Sequence, residues 1–358
     1  MKDRNNNIGT IHLLAAFCVM YGHQFALVQQ PMTASIGCAA HILGVKIIML
    51  ISGYLITKSL WSMKQSKARN SFVYAVKRLG RILPEYLFVL LVSALVFGPI
   101  LSTLPVGEYF KHPLTYSYIT DNAIFKPVYS LPGVFTANPY SPAVNGSLWT
   151  IPVELFMYVG IWIIYLIPHD KLKKVLYVLA ALVASILMFT RIEYYPLATL
   201  VFHNVDWLQA LNIIPYFLVG GCFYLLDLKK YLKVQWAVVV AVVFSLIKYK
   251  NQFVIEWFEL MAIAYIVMTL CLADKQELKL PILKGEYSYG VYLWGFVVQQ
   301  CVVDVLCVRM GFEMKAGILF IISGVIAYVL AMISYNFVYK PIWKLLNKYV
   351  LRSDKAYE

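Results

Sequence analysis

The sequence predicts an all-α integral membrane protein, a bundle of about ten transmembrane helices with both termini in the cytoplasm. Hydrophobic residues make up 61% of the 358 residues and charged residues 14%, and the mean hydropathy is +0.70. This composition is far more apolar than that of a soluble domain. Apolar runs of about 17 to 25 residues, long enough to cross a bilayer as a helix, recur along the chain. The basic residues gather in alternate connecting segments, which indicates a multi-pass topology.

Ten apolar runs define the predicted spans. They cover residues 8–28, 41–60, 82–102, 148–168, 174–190, 208–226, 233–248, 252–273, 287–307 and 316–338. The runs are too long and continuous for barrel strands, so each is predicted to satisfy its backbone polar groups as a helix. The first run ends without a small-residue cleavage pattern, so we expect it to be retained. Nothing indicates a separate soluble domain, and residues 1–358 are predicted to form one transmembrane domain.

The placement of lysine and arginine sets the predicted orientation. With a cytoplasmic N-terminus, most of the 31 basic residues fall on the cytoplasmic side, many of them in segment 61–81, which is predicted to be a loop. The net charge of +13 is spread over short loops and forms no basic groove with interleaved aromatics, so no nucleic-acid partner is expected. The six cysteines lack metal-type spacing and favour packed thiols over disulfides or a metal site.

One long connection interrupts the alternation of spans and short loops. Residues 103–147 are rich in Pro, Tyr, Asn and Ser and fall on the extracytoplasmic side. A connection of this length is usually functional or disordered. Its aromatic, turn-forming composition lacks the charge of a disordered tail, so it is predicted to be an ordered loop that caps a cavity.

A histidine and a glutamate lie inside predicted spans, where ionisable groups are costly and indicate a functional site. His23 and Glu154 each fall roughly 7 to 9 Å below the extracytoplasmic interface, judged from the helical rise per residue. A histidine whose tautomer is fixed by a carboxylate suits general-base activation of a hydroxyl. The alternative is a histidine bonded to a backbone carbonyl and a glutamate that closes an interhelix hydrogen bond.

Basic residues cluster at the cytoplasmic end of the third predicted span. Arg78 and Arg81 are three residues apart and face the same way on a helix, with Lys77 adjacent, so the guanidiniums suit a polyanion. The alternative is the ordinary bias that places basic residues at cytoplasmic helix ends.

Three other charged residues fall near the outer interface. Lys46 lies in the second span and is interpreted as a side chain that snorkels towards water. Glu256 and Glu259 begin the eighth span in the same layer and are interpreted as interfacial.

Five segments in order carry a family resemblance: LLAAFCVMYGH, GVKIIMLISGYLIT, FVYAVKRLGRILPEY, NGSLWTIPVELFMY and EYSYGVYLWGF. Together they resemble the acyltransferase 3 family of bacterial membrane proteins, over roughly residues 8–340. Members of this family O-acylate sugars of surface polysaccharides and lipid-linked glycans. The resemblance therefore implies a multi-pass protein of the bacterial inner membrane with a carbohydrate acceptor.

The resemblance assigns expected roles by position. The essential histidine falls on His23 and the R-x-x-R pair on Arg78 and Arg81. The SLW…E segment falls on Ser147, Leu148, Trp149 and Glu154. The SGY element falls on Ser52, Gly53 and Tyr54. The SYxxYL element falls on Ser288, Tyr289, Tyr292 and Leu293. Two positions depart from the family pattern. His12 stands where the family commonly has arginine, and Gly295 stands where it often has the histidine of YLWH.

The expected reaction is transfer of an acyl group, most simply acetyl, from acyl-CoA to a sugar hydroxyl. Arg78, Arg81 and Lys77 are expected to hold the phosphates of acetyl-CoA, while His23 acts as base and Glu154 orients it. Substrate contacts are expected from the following residues: Asn145, Ser147, Trp149, Tyr289 and Tyr292.

Some alternatives stay open at this point. Direct transfer is preferred because no serine or cysteine lies in a nucleophile motif, with an acyl-histidine intermediate as the alternative. A transporter or flippase of a glycan or small solute is the competing function, although paired interrupted helices are missing. A homo-oligomer is also left open.

Overall fold

A computed structural model describes residues 7–32, 39–64, 66–140, 142–195, 198–246, 252–273, 278, 280 and 283–351. Within these residues the chain is mainly helical, as the sequence predicts, with one β-hairpin of two two-residue strands. The α-helices are α1 (Ile8–Leu27), α2 (Ala40–Trp61), α3 (Lys67–Val92), α4 (Gly98–Leu101), α5 (Val106–Lys111), α6 (Pro113–Ala123), α7 (Thr150–Leu166), α8 (Asp170–Tyr194), α9 (Trp207–Ala210), α10 (Ile214–Leu225), α11 (Val234–Leu246), α12 (Gln252–Leu272), α13 (Ser288–Val302), α14 (Ala316–Ser334) and α15 (Lys340–Tyr349). Strands β1 (Val201–Phe202) and β2 (Val205–Asp206) pair antiparallel.

Short segments of other helix types complete these elements. Ser93–Phe97, Val303–Arg309 and Tyr335–Tyr339 are π-helical, and they continue α3, α13 and α14 respectively. Gly146–Trp149, Leu228–Tyr231 and Gly285–Tyr287 are 3₁₀-helical. π-helical turns inside longer helices are frequent at functional sites.

Nine helical stretches of the described residues are long and apolar enough to cross a membrane. They are Ile8–Leu27, Ala40–Trp61, Lys67–Leu101, Gly146–Leu166, Asp170–Ile192, Trp207–Leu225, Val254–Leu272, Gly285–Arg309 and Ala316–Tyr349. Each corresponds to a predicted span, which confirms the all-α membrane class. At the remaining predicted span, 233–248, the structure describes the shorter apolar helix α11. The cytoplasmic placement of both termini stays a prediction.

The prediction of a loop over residues 61–81 is wrong for most of that segment. Helix α3 begins at Lys67, and the hydroxyl of Ser66 accepts a hydrogen bond from the backbone N–H of Arg69, which caps the helix. Basic residues lower the hydropathy of a segment without lowering its helix propensity, so hydropathy alone placed the start of the span too late. Arg78 and Arg81 consequently lie inside a helix, well before its end.

The described residues divide into two compact units. The first unit contains the described residues within 1–16, 34–64 and 153–285, and the second contains those within 17–33, 65–152 and 286–358. The prediction of one domain over 1–358 stays a prediction.

In the first unit, glycines allow α2 and α10 to pack backbone against backbone. A Cβ built on Gly53 would lie 1.8 Å from the carbonyl oxygen of Phe217, and one built on Gly220 would lie 2.0 Å from that of Leu50. Small residues at such crossings are typical of helix pairs in membranes. The glycine of the SGY element therefore has a packing role in this fold.

We expect Gly53→Ala to destabilise the first unit by about 1–3 kcal/mol, because the added methyl group forces α2 and α10 apart. Thermal unfolding of the purified protein in detergent measures the effect. Gly160→Ala is the matched control, since a Cβ on Gly160 meets nothing within 4 Å. Equal stability of the two variants would contradict the packing role of Gly53.

In the second unit, the described residues of segment 103–147 include the helices α5 and α6. The hydroxyl of Tyr109 donates to the carbonyl of Ala94 at 2.7 Å, and the side-chain amide of Asn122 donates to the carbonyls of Tyr118 and Val128 at 2.7 and 2.8 Å. Burial raises the pKa of Tyr109 and of Tyr129 to about 12. These hydrogen bonds lie between described residues of the second unit. The order of the segment and its role as the cap of a cavity stay predictions.

Candidate active site

Asn145 holds the start of the NGSLW turn, here defined as residues Asn145–Trp149, against α13. Its side-chain oxygen accepts a hydrogen bond from the backbone N–H of Ser147 at 3.1 Å, and its amide nitrogen donates to the carbonyl of Leu293 at 3.0 Å. Asn145 is fully buried. Both ends of its amide are thus engaged within the second unit, which gives this residue a role in shaping the turn.

Tyr292 contacts the same turn at its centre and also contacts the residue that follows it. Its hydroxyl lies 2.6 Å from Oγ1 of Thr150 and donates to the carbonyl of Ser147 at 3.2 Å. Oγ of Ser147 is buried and has no hydrogen-bond partner among the described residues. Trp149 is half-buried. The structure therefore brings together four of the five predicted substrate residues, namely Asn145, Ser147, Trp149 and Tyr292.

His23 and the NGSLW turn contact the same aromatic ring, that of Phe296. The imidazole of His23 lies edge-on to the ring of Phe296, with centroids 5.2 Å apart and planes at 77°. A Cβ built on Gly146 would lie 2.7 Å from Cε2 of Phe296, and the ring of Tyr140 lies 6.2 Å from the same ring. His23 and the NGSLW turn therefore share a neighbour in the second unit. The glycine at 146 is required because Phe296 occupies the space of its missing side chain.

A buried amide network holds the part of α1 that carries His23. Nε2 of Gln299 donates to the carbonyl of Met20 at 2.7 Å and to Oε1 of Gln24 at 3.0 Å, and Oγ of Ser323 lies 3.4 Å from the same Gln24 oxygen. Gln24, Gln299 and Ser323 are fully buried. Sequence reasoning missed this network, although paired glutamines inside the apolar run of α13 were its signal.

Met20 also explains one departure from the family pattern. A Cβ built on Gly295 would lie 2.6 Å from Cγ of Met20. The volume that a histidine side chain would need at position 295 is therefore occupied by methionine from α1.

Arg81 lies between two aromatic rings and beside a carboxylate. Its guanidinium is 5.3 Å from the ring centroid of Tyr289 and 4.8 Å from that of Tyr339, and its Nη1 is 3.3 Å from Oε2 of Glu85. Glu85 is fully buried and also accepts a hydrogen bond from Oγ of Ser334 at 3.2 Å. The side chain of Arg81 keeps 31% of its surface exposed.

Two further residues belong to this region. Tyr289 contacts Arg81 and donates its hydroxyl to the carbonyl of Ile82 at 3.3 Å, so it lies beside the arginine, and its predicted contact with substrate stays a prediction. Glu85 was not singled out from the sequence, although a carboxylate in an apolar span was its signal. The guanidinium of Arg78 packs 5.6 Å from the ring of Tyr74, and Lys77 is half-buried.

Glu154 belongs to the first unit. There it accepts a hydrogen bond from the hydroxyl of Tyr158, one turn further along α7. Its predicted pairing with His23, which belongs to the second unit, stays a prediction.

A buried charged cluster occupies the first unit. Nζ of Lys46 is 2.7 Å from Oε1 of Glu259 and 3.8 Å from Oε2 of Glu256, and it lies 5.2 Å from the ring centroid of Tyr216. The side chain of Lys46 is 4% exposed and that of Glu259 is 2% exposed. The expectation that Lys46 snorkels towards water is therefore wrong, because the two carboxylates hold its ammonium inside the protein.

Comparisons with known proteins agree with the motif pattern. Residues 5–337 match the protein family described as an acyltransferase domain. The O-acetyl transferase of Shigella phage Sf6 is 29% identical over 346 residues, which covers 94% of this chain and 96% of that protein. No solved structure matches the chain significantly.

Proposed function

Since the chain belongs to the acyltransferase 3 family, we propose that it moves an acetyl group from acetyl-CoA to a hydroxyl of a cell-surface or lipid-linked carbohydrate. The family and the O-acetyl transferase relative support O-acyl transfer. One structural observation carries the proposed site. His23 and the NGSLW turn pack against the same ring, Phe296, within one unit. We place this site in the inner membrane of a bacterium, with Arg78 and Arg81 towards the cytoplasm.

His23 acts as the general base in this proposal. The imidazole takes the proton of the acceptor hydroxyl while the hydroxyl oxygen attacks the thioester carbonyl, and a tetrahedral oxyanion forms. Collapse of this intermediate breaks the C–S bond, and the CoA thiolate takes the proton from the imidazolium. Glu154 orients the imidazole and stabilises its positive charge. The products are the acetyl ester and CoA.

The NGSLW turn supplies groups for the acceptor and the oxyanion. Ser147 has a buried hydroxyl without a hydrogen-bond partner among the described residues, so it can donate to a sugar oxygen or to the developing charge. Tyr292 and Asn145 fix the backbone of the turn on α13. Trp149 offers an apolar face of the kind that sugar rings contact.

Arg78, Arg81 and Lys77 bind the phosphates of the donor in this proposal. Glu85 and the rings of Tyr289 and Tyr339 hold the Arg81 guanidinium in one position. A guanidinium that is held in place loses less side-chain entropy when it binds phosphate.

A direct assay tests the proposed reaction. Purified protein is incubated with acetyl-CoA labelled in the acetyl group and with a lipid-linked or polymeric glycan, and label in the glycan is measured by mass spectrometry. The expected result is an acetyl ester on the glycan and one free CoA per ester. CoA release without an ester, or uptake of a glycan into proteoliposomes without acetylation, would overturn the proposal.

For Arg78→Gln we expect the KM for acetyl-CoA to rise about 10- to 100-fold with an unchanged KM for the acceptor, because a charged hydrogen bond to phosphate is lost. Arg81→Gln alone would leave the buried Glu85 unpaired, so the double variant Arg81→Gln/Glu85→Gln is used at that position. Steady-state kinetics with each substrate varied in turn measures both constants.

Lys67→Gln removes one positive charge at an exposed position of the same helix and is the matched control. It should leave the KM for acetyl-CoA and the KM for the acceptor unchanged. A larger rise in the acceptor KM would remove the two arginines from the donor site. A normal donor KM in the double variant would limit Arg81 to a structural role.

A further inference from the structure

The last helix, α15, has no carboxylate and carries a stripe of lysines. Lys340, Lys344 and Lys348 are spaced by four residues and therefore share one face of the helix. All three are exposed. The helix thus presents three positive charges on one side without a neighbouring negative charge of its own.

A second stripe of α15 is apolar and exposed. Ile342, Leu345 and Tyr349 recur at helical spacing and are 37%, 55% and 70% exposed. Exposed aliphatic and aromatic side chains beside a row of lysines are typical of a helix that contacts both the acyl chains and the headgroups of a membrane.

The remaining face of α15 is packed against α3 within the second unit. A Cβ built on Gly80 would lie 2.6 Å from Cδ1 of Leu346 and 3.5 Å from Cζ3 of Trp343. The guanidinium of Arg69 donates to the carbonyl of Val350 at 3.3 Å. The lysine stripe and the apolar stripe are therefore held in fixed directions.

The length of the preceding helix places α15 at the edge of the bilayer. The helical stretch Ala316–Tyr349 is continuous over 34 residues, which corresponds to about 50 Å. The hydrocarbon layer is only about 30 Å thick and needs about 20 residues. The final turns of this stretch, which carry the lysines, consequently lie at the level of the headgroups.

We propose that the face of α15 formed by these two stripes is a binding site for anionic phospholipid, with the lysines on the headgroup phosphates and the apolar stripe at the boundary between headgroups and acyl chains. Charge complementarity favours an anionic over a zwitterionic headgroup, because each lysine near a negative membrane surface adds to the affinity. The inference is independent of the acyl-transfer proposal.

The test uses full-length protein in detergent, titrated with phosphatidylglycerol or phosphatidylcholine and analysed by native mass spectrometry. Phosphatidylglycerol should bind more tightly than phosphatidylcholine. The triple variant Lys340→Gln/Lys344→Gln/Lys348→Gln should bind phosphatidylglycerol about tenfold more weakly or worse, with little change for phosphatidylcholine. The charge-preserving triple Lys→Arg variant should bind as the native protein does.

Three other exposed lysines give the matched control. Lys171→Gln/Lys174→Gln/Lys233→Gln makes the same charge change in the first unit and should leave phosphatidylglycerol binding unchanged. Unchanged binding in the α15 triple glutamine variant would overturn the proposal. Displacement of phosphatidylglycerol by acetyl-CoA, together with weaker acetyl-CoA binding in that variant, would also overturn it and assign the lysines to the donor nucleotide.

Discussion

Alanine at position 23 is expected to lower kcat for acetyl transfer about 100- to 10,000-fold, because that is the usual contribution of a general base. The His23 side chain is half-buried and its ring contacts Phe296, so thermal unfolding of the variant is measured beside kcat. The measurement is transfer of labelled acetyl groups from acetyl-CoA to acceptor at saturating concentrations of both. The KM values should change little, because the imidazole acts mainly in the transition state.

His169→Ala is the matched control. His169 is exposed and precedes α8 without a side-chain capping hydrogen bond, so its loss should leave kcat unchanged. Turnover of His23→Ala at the native rate would remove His23 from the chemistry. A loss of folded protein in place of a loss of kcat, measured by thermal unfolding, would instead assign His23 a packing role.

Methionine at position 46 is expected to destabilise the first unit by about 3–5 kcal/mol. Loss of one partner from a buried ion pair leaves an uncompensated charge, and here Glu259 and Glu256 would face each other without the ammonium that lies 2.7 and 3.8 Å from them. The thiol of Cys271 is almost fully buried in α12, so the temperature at which it reacts with a thiol reagent reports the unfolding of this unit.

The triple variant Lys46→Met/Glu256→Gln/Glu259→Gln should recover most of this stability, because it removes the whole charged cluster. Lys174→Met is the control for the change of side chain, and we expect an effect within about 0.5 kcal/mol at that exposed position. Native stability of Lys46→Met would show that the cluster contributes nothing to the fold. Failure of the triple variant to recover would assign the loss to packing of the lysine stem.

Hydropathy predicted the membrane class and nearly every crossing, since the need to satisfy the backbone in lipid leaves helices as the main solution. Hydropathy did not predict the helical segments that are rich in basic residues. The first half of α3 is basic and was predicted to be a loop, and α15 was not expected to extend the last span. Both segments are helical because lysine and arginine are good helix formers and because α3 and α15 pack against each other.

The candidate site was predictable only in part. The motif pattern indicated His23, Arg81 and the NGSLW turn, but the sequence could not show which of them share neighbours. Phe296 is an ordinary apolar residue by sequence, and its position between His23 and Gly146 depends on packing between distant segments. Contacts of this kind between helices are set by the tertiary fold and leave no local pattern.

Met20 occupies the space where a side chain on Gly295 would begin, which links two positions that are far apart in the chain. A histidine at 295 is compatible with this backbone only if the residue at 20 is much smaller than methionine. The two sites should therefore change together during evolution. An engineered second histidine at 295 would require a compensating Met20→Ala or Met20→Gly substitution, so the single and double substitutions would form an epistatic pair.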